Sequence, residues 1–199
     1  MRNMISYLLS FATLRGPSEK ISFRYGRQKL GSAVYGDDFL PELRYMVNKF
    51  VPLDNNKFLE WGSGLSTILL TSIVKERKGK LITIDNDKYY QKSVLHRIVD
   101  RQYIVPFTID LSGNKLNKAG DGLNYSMFPL SLNTVFDFVL IDGRRRMECA
   151  LAATRISHKN TIILLHDYRR ERYQLVTTLH DVIEDGNQFR VMKVKKSFL

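Results

Sequence analysis

Five carboxylates in this chain are spaced as though by one repeating structural unit. Glu60, Asp85 and Asp110 follow one another at 25-residue intervals, and the same interval separates Asp142 from Asp167. Each closes a short apolar, β-branched run, which places it at the C-terminal end of a strand, the edge where open α/β sheets bind ligands. A carboxylate there can accept from sugar hydroxyls, hold a cation or take a proton from a reacting group. The first stands in Phe58-Leu59-Glu60-Trp61-Gly62-Ser63-Gly64-Leu65-Ser66-Thr67, which reads as a strand, a tight glycine turn and a helix start. A dinucleotide fingerprint needs a third glycine so that a pyrophosphate can approach the helix N-terminus. Here that position is Thr67, and Glu60 would repel a pyrophosphate. The turn suits a ligand with a cationic end, contacted by backbone at Gly62 and Gly64, while Asp85 is placed to accept from ribose hydroxyls.

These residues need strands to hold them and helices to space them. Strand-like runs fall at 57–60, 81–84, 103–109, 136–141, 161–165 and 189–194, and helical patterns at 66–75, 88–100, 147–156 and 173–184. Strands alternating with helices imply βαβ units, and so a single-domain α/β fold with a doubly wound, mostly parallel sheet. Pro106 lacks the N–H that a central strand would use, so its run belongs at a sheet edge. Residues 111–135 contain several turn formers and read as a long connection, the kind that often covers a binding site. Residues 1–38 are assigned to an N-terminal helical or cap segment, with an amphipathic helix near 4–14, and residues 39–199 to the ligand-binding domain.

Composition bounds the function classes. The chain has 199 residues, 44% hydrophobic and 26% charged, enough for one well-buried core. The single cysteine, Cys149, excludes an internal disulfide framework and a multi-cysteine zinc module, and fits a reducing, cytoplasmic setting. No uninterrupted apolar stretch reaches the length of a membrane span. The net charge of +11 leaves nucleic acid, an anionic small substrate, an acidic surface and simple solubility all open.

Four motifs in order, the glycine turn above, Thr83-Ile84-Asp85-Asn86, Val139-Leu140-Ile141-Asp142-Gly143 and Ile163-Leu164-Leu165-His166-Asp167-Tyr168, resemble those of the class I S-adenosylmethionine-dependent methyltransferases. The resemblance runs from about Phe39 to Phe198. It implies a Rossmann-like fold with Glu60, Gly62 and Gly64 at the methionine end of the cofactor, Asp85 at the ribose, and Asp110 with Leu111 at the adenine. Ser63, Ser66 and Thr67 could donate to the cofactor carboxylate, or could simply cap the helix. The family's sheet ends in a hairpin with an antiparallel seventh strand. Only 189–194 reads as a strand there, so the sheet is expected to be one strand short or to form its last strand differently.

The chemistry depends on the residues just after the fourth and fifth strands. Amino-directed nucleic-acid methyltransferases carry Asp/Asn-Pro-Pro-Tyr/Phe after the fourth strand, and this chain has Ile141-Asp142-Gly143-Arg144. Cys149 sits in a helical pattern after Glu148 and reads as packing. Asp142 with His166 and Asp167 is similar to the acidic set of metal-dependent sugar O-methyltransferases, which implies a magnesium or manganese ion that activates a substrate hydroxyl. The chain departs from that pattern, with His166 for an aspartate and Arg144 two residues after Asp142. A histidine disfavours magnesium and favours manganese, or a metal-free role in which His166 or Asp142 is the general base.

Two arginine clusters, Arg144-Arg145-Arg146 and Arg169-Arg170-Glu171-Arg172, stand directly beside the carboxylates. Arginine forks suit anionic groups, though the same residues could neutralise the nearby carboxylates. Arg144, Arg145, Tyr168 and Arg169 are the expected acceptor contacts. Together the features point to an O-methyltransferase acting on a sugar or glycan hydroxyl, the acceptor a small molecule or glycan. An RNA or nucleotide methyltransferase is the alternative, and a degenerate binding scaffold the third.

Overall fold

The computed structural model describes residues 39–111 and 118–199, with a short antiparallel pair formed by Arg24–Tyr25 and Gln28–Lys29. The expected helix near 4–14 and most of the expected cap segment lie outside the described residues. The strands are β1 Lys57–Trp61, β2 Lys80–Asp85, β3 Ile104–Thr108, β4 Phe136–Ile141, β5 Ser157–His166, β6 His180–Asp185 and β7 Phe189–Val194. The helices are α1 Phe39–Phe50, α2 Leu65–Glu76, α3 Lys88–Leu95, α4 Lys118–Met127 and α5 Arg146–Ala153. The seven strands lie in the order β3-β2-β1-β4-β5-β7-β6, the first five parallel and β7 antiparallel to both neighbours.

Alternation along the central strands builds two cores, one on each sheet face. Phe58, Phe138, Leu140, Ile162 and Leu164 face one layer, where Leu43 and Val47 of α1 and Leu70 and Ile73 of α2 cover them. Leu59, Trp61, Val139, Ile141, Ile163 and Leu165 face the other, against Tyr125 of α4 and Cys149, Ala150 and Ala153 of α5. With both faces covered, four of the five β1 residues are buried. The small side chains of α5 let that helix lie close to the sheet. Cys149 is fully buried, and that burial pushes its thiol well up, as befits packing.

Pro106 lies on β3 at the sheet edge, paired with Thr83. The sheet is not short. The run 173–184, expected as one helix, instead forms a 3-10 turn over Glu171–Thr178 followed by strand β6. The physical reason is that β6 is an edge strand. Only His180 of it is buried, and Val182 and Ile183 are each 42% exposed, so its apolar residues show no strand alternation and join those of the preceding turn to imitate helical periodicity. The connection 111–135 also differs from a plain loop. It carries α4 and a second 3-10 turn, Phe128–Leu132, and residues 112–117 lie outside the described residues. Among the described residues, no helix is long and apolar enough to cross a membrane.

Strand order reverses at β1, whose neighbours β2 and β4 lead to opposite halves of the sheet. The crevice above that point is where such sheets hold ligands, and the glycine turn, Asp85 and Asp142 all stand on it.

Candidate functional site

The turn after β1 is held at its start by backbone. Gly62 N–H donates to Ile84 O at 2.8 Å, and Asp142 N–H donates to Trp61 O at 2.9 Å. Gly62 has φ +97°, and a Cβ there would meet the backbone of Asp142 and Gly143 at 2.6–2.8 Å. Glycine is therefore required at Gly62 for both conformation and space. A Cβ on Gly143 would in turn run into the Tyr125 hydroxyl and the Gly62 backbone. Tyr125 is buried, and Trp61 Nε1 donates to its carbonyl at 3.3 Å. It closes this end of the crevice, a position that weak periodicity in 111–135 does not reveal.

Glu60 is completely buried beneath the turn. Ser66 Oγ donates to its Oε1 at 2.5 Å, and Thr67 Oγ1 and Thr83 Oγ1 donate to Oε2 at 2.6 and 2.7 Å. Burial pushes its carboxyl up to about 7, against the pull of these three hydroxyls. Ser66 and Thr67, the expected donors to a cofactor carboxylate or caps of the helix, turn their hydroxyls to Glu60 instead. The helix N-cap is Gly64, whose N–H donates to Thr67 Oγ1 at 2.7 Å. What the helix start still offers a ligand is first-turn backbone N–H groups. Ser63 Oγ lies 2.8 Å from Thr83 Oγ1 and accepts from Gln91 Nε2 at 3.0 Å, so a buried polar chain runs from α3 to Glu60.

Asp85 closes β2 with its carboxylate on the turn itself. Its Oδ2 accepts from Ser63 N–H at 2.7 Å and its Oδ1 from Asp87 N–H at 2.8 Å. Burial raises its pKa, partly offset by those N–H groups. Beside it opens a groove of about 560 Å³ lined by Asn86, Thr108 and Asp110 among others. Asp110 is exposed at its rim, and Leu111 is half-buried against the core.

The second carboxylate group forms at the ends of β4 and β5. Asp142 Oδ1 accepts from His166 Nδ1 at 2.7 Å. The imidazole packs between Phe39 and Phe189, with ring centroids 5.0 and 5.2 Å away. Burial opposes its charged form, but the bond to Asp142 and the charges of Asp142 and Asp167 outweigh that and hold its pKa above the ordinary value. Nε2 is the other ring nitrogen, 3.4 Å from Gln188 Oε1. Asp167 sits at φ +58°, a left-handed conformation uncommon for a non-glycine residue and frequent at functional sites.

Between these groups lies Arg146, which the sequence shows only as one of a run of three arginines. It donates to Asp142 Oδ1 at 2.9 Å, to Asp167 Oδ2 at 3.1 Å, and to the carbonyls of Asp142, Gly143 and His166 at 3.0, 3.1 and 2.6 Å. Its position four residues after Asp142 is the one legible signal. The expected metal site, Asp142, His166 and Asp167, does not fit a cation in this arrangement. The guanidinium already bridges both carboxylates, and the imidazole donates to one of them. Arg170 adds a second partner to Asp167 at 2.7 Å. Among the described residues, no cluster of three His, Cys, Asp or Glu side chains could hold a metal ion.

The expected acceptor contacts divide. Arg144 is exposed at the crevice. Arg145, at φ +54°, caps α5, pairs with Glu148 at 3.1 Å and packs against Gly122. Tyr168 is buried, with its hydroxyl donating to Gly186 O at 2.8 Å, so it pins the β6–β7 turn and does not face an acceptor. Arg169 is exposed and stacks on Tyr168 at 5.5 Å, with its Nε donating to that hydroxyl at 3.2 Å.

The strand order, glycine turn and strand-end carboxylates define the fold of the class I S-adenosylmethionine-dependent methyltransferases, and solved structures of that class superpose on this chain. A methyltransferase-like protein from Silicibacter pomeroyi matches with a TM-score of 0.63 at 19% identity, over 78% of this chain and 84% of that one. A caffeoyl-CoA O-methyltransferase-like protein from Staphylococcus aureus matches at 0.55 and 14%, over 96% and 93%. The TDP-rhamnose 3'-O-methyltransferase of calicheamicin biosynthesis matches at 0.53 and 13%, over 78% of each chain. An N-methyltransferase from Bradyrhizobium japonicum bound to S-adenosylhomocysteine and an rRNA methylase from Streptococcus thermophilus share the fold at 0.52 and 0.51. No family model matches the chain, and no curated protein matches it in sequence.

Proposed function

We propose that this protein is an S-adenosylmethionine-dependent O-methyltransferase acting on a hydroxyl of a sugar or glycan, with His166 as the acceptor base and Asp142 as its orienting partner. The observation that carries the reading is the 2.7 Å bond between them at the crevice where the sheet reverses direction.

The chain's residues fit the cofactor. Gly62 and Gly64 offer close-approach backbone at the methionine end, with Ser63, Ser66 and Thr67 at the helix start and Glu60 beneath them. Asp85 stands at the ribose, since the N–H groups it accepts from leave part of the carboxylate's acceptor capacity open. Asp110 lines the open groove, which takes the adenine, and Leu111 follows it in the chain. When bound, S-adenosylmethionine supplies a methyl carbon activated by a sulfonium.

Asp142 fixes Nδ1 of His166 as the donor nitrogen and so leaves Nε2 as the basic one. Nε2 takes the proton of the acceptor hydroxyl as its oxygen bonds to the methyl carbon and the carbon–sulfur bond breaks. The products are a methyl ether, S-adenosylhomocysteine and a proton. A sugar hydroxyl is a weak acid, so the base is needed, and positioning by the crevice supplies the rest. Exposed Arg144, two residues after Asp142, suits an acceptor bearing phosphate or carboxylate, such as a nucleotide-linked sugar. The likeness to a TDP-rhamnose methyltransferase is in keeping with that class.

The test is a methyl-acceptor screen across nucleotide sugars, free glycans and RNA, run with and without chelator. Transfer to a sugar hydroxyl that persists in chelator is the expected result. Transfer to RNA alone, with binding that falls steeply with salt, would replace the sugar reading. Activity lost in chelator and restored by manganese would refute the base.

A further inference from the structure

The site holds a cation that is part of the chain. Arg146 directs all three guanidinium nitrogens into one cluster, with five hydrogen bonds to Asp142, Gly143, His166 and Asp167. Its side chain is 10% exposed, and the carboxylates it joins are 14% and 27% exposed. The Tyr173 ring lies under the guanidinium at 5.4 Å. Two partly buried carboxylates on adjacent strands would repel each other without a positive charge between them. Here the charge between them belongs to Arg146, seated by α5, which begins at that residue.

We infer that Arg146 is a resident substitute for a divalent cation: its guanidinium occupies the position between Asp142 and Asp167, excludes a metal from wild-type protein, and holds the Asp142–His166 pair in register. Removing the side chain leaves the two carboxylates facing the vacated space, one of them bonded to the His166 imidazole. Manganese accepts that mixture of oxygen and nitrogen ligands. Arg146 is thus a positioning residue, acting through Asp142. The positioning role rests on the reading of His166 as the acceptor base; the metal exclusion does not.

The test is titration of Mn²⁺ into protein, followed by the loss of the free-ion electron paramagnetic resonance signal and by thermal melting. Wild type is expected to show no binding that depends on Asp142. Arg146→Ala is expected to bind Mn²⁺ at least about tenfold more tightly than wild type, equivalent to ~1.4 kcal/mol, and to melt higher with the ion than without it. Both effects should vanish when Asp142→Asn is added. Arg146→Lys keeps a charge in place and should stay metal-free. Mn²⁺ binding by wild type that Asp142→Asn abolishes would overturn the inference, and so would a folded Arg146→Ala that binds none. If Arg146→Ala does not fold, Arg146→Gln replaces it and the wild-type titration decides by itself. None of these readouts uses methyl transfer, so they can fail while the methyltransferase reading stands. That reading fails separately, on absence of cofactor binding.

Discussion

His166 Nδ1 lies 2.7 Å from Asp142 Oδ1, joining the C-terminal ends of two adjacent parallel strands above the point where the sheet reverses. The same two strands carry a second pair at their other ends, His158 Nε2 to Asp137 Oδ1 at 3.0 Å. There the carboxylate is committed to backbone, accepting from Asn56 N–H at 3.0 Å and Lys57 N–H at 2.8 Å. One pair faces the crevice and the other ties β1 to β4.

The two pairs should therefore separate by function. His166→Ala is expected to lower kcat by about 10²–10⁴-fold with cofactor affinity little changed, and Asp142→Asn to act in the same direction. Asp137→Asn should instead leave kcat intact and cost stability, about 1–2 kcal/mol. Steady-state kinetics, calorimetric cofactor titration and denaturant melts distinguish the outcomes. Equal kinetic loss at both ends would remove the distinction.

The pH profile is set by the direction of the His166 shift. Its pKa is raised, so the imidazole stays protonated, and idle as a base, to a higher pH than a free histidine. The rise of kcat with pH should centre above the ordinary imidazole value of ~6.5. A midpoint below it would contradict the assignment.

Glu60 sets a different pH dependence, one of stability. Its carboxyl is pushed up to about 7 in the folded protein from an ordinary 4.5. The folded state therefore binds a proton that the unfolded chain has released, and stability falls as pH rises between those values. Buried ionised Glu60 costs about 3 kcal/mol above that window. Glu60→Gln should flatten the decline of Tm between pH 5 and 8, read by thermal melts across that range.

Asp85→Ala should weaken S-adenosylmethionine binding by at least about tenfold, or ~1.4 kcal/mol, because it removes the proposed ribose acceptor and the bond that holds the turn at Ser63. Calorimetric titration against wild type gives the answer. Unchanged affinity would refute the ribose assignment.

Gly143→Ala drives a methyl group into the Tyr125 hydroxyl and the Gly62 backbone. The expected cost is about 1–3 kcal/mol of stability, together with loss of cofactor binding. Pairing it with Tyr125→Phe, which removes the obstructing hydroxyl, should recover part of the loss in both denaturant melts and binding.

Much of this is written in local pattern. The glycine turn, the 25-residue carboxylate interval and the β-branched runs depend on neighbours close in the chain, so they place the parallel strands, the crevice and the edge position of Pro106. Strand β6 is not legible in this way. Its residues are stabilised by pairing with β7 and are half-exposed at an edge, so their apolar spacing lacks the period of two that marks a strand. Tyr125 escapes for a similar reason, since it is the close approach of the turns after β1 and β4, at Gly62 and Gly143, that makes its position matter.

The sharpest division falls among the charges. Composition and order alone determine that arginines stand next to the strand-end carboxylates, because adjacency in sequence is adjacency in a tight loop. Which arginine turns inward is decided only in three dimensions. Arg144 faces solvent, Arg145 turns to Glu148, and Arg146 reaches Asp142 and Asp167 at once. The cause is the start of α5 at Arg146, with Arg145 in a left-handed conformation just before it. That rotation puts a guanidinium, not a metal ion, between the carboxylates.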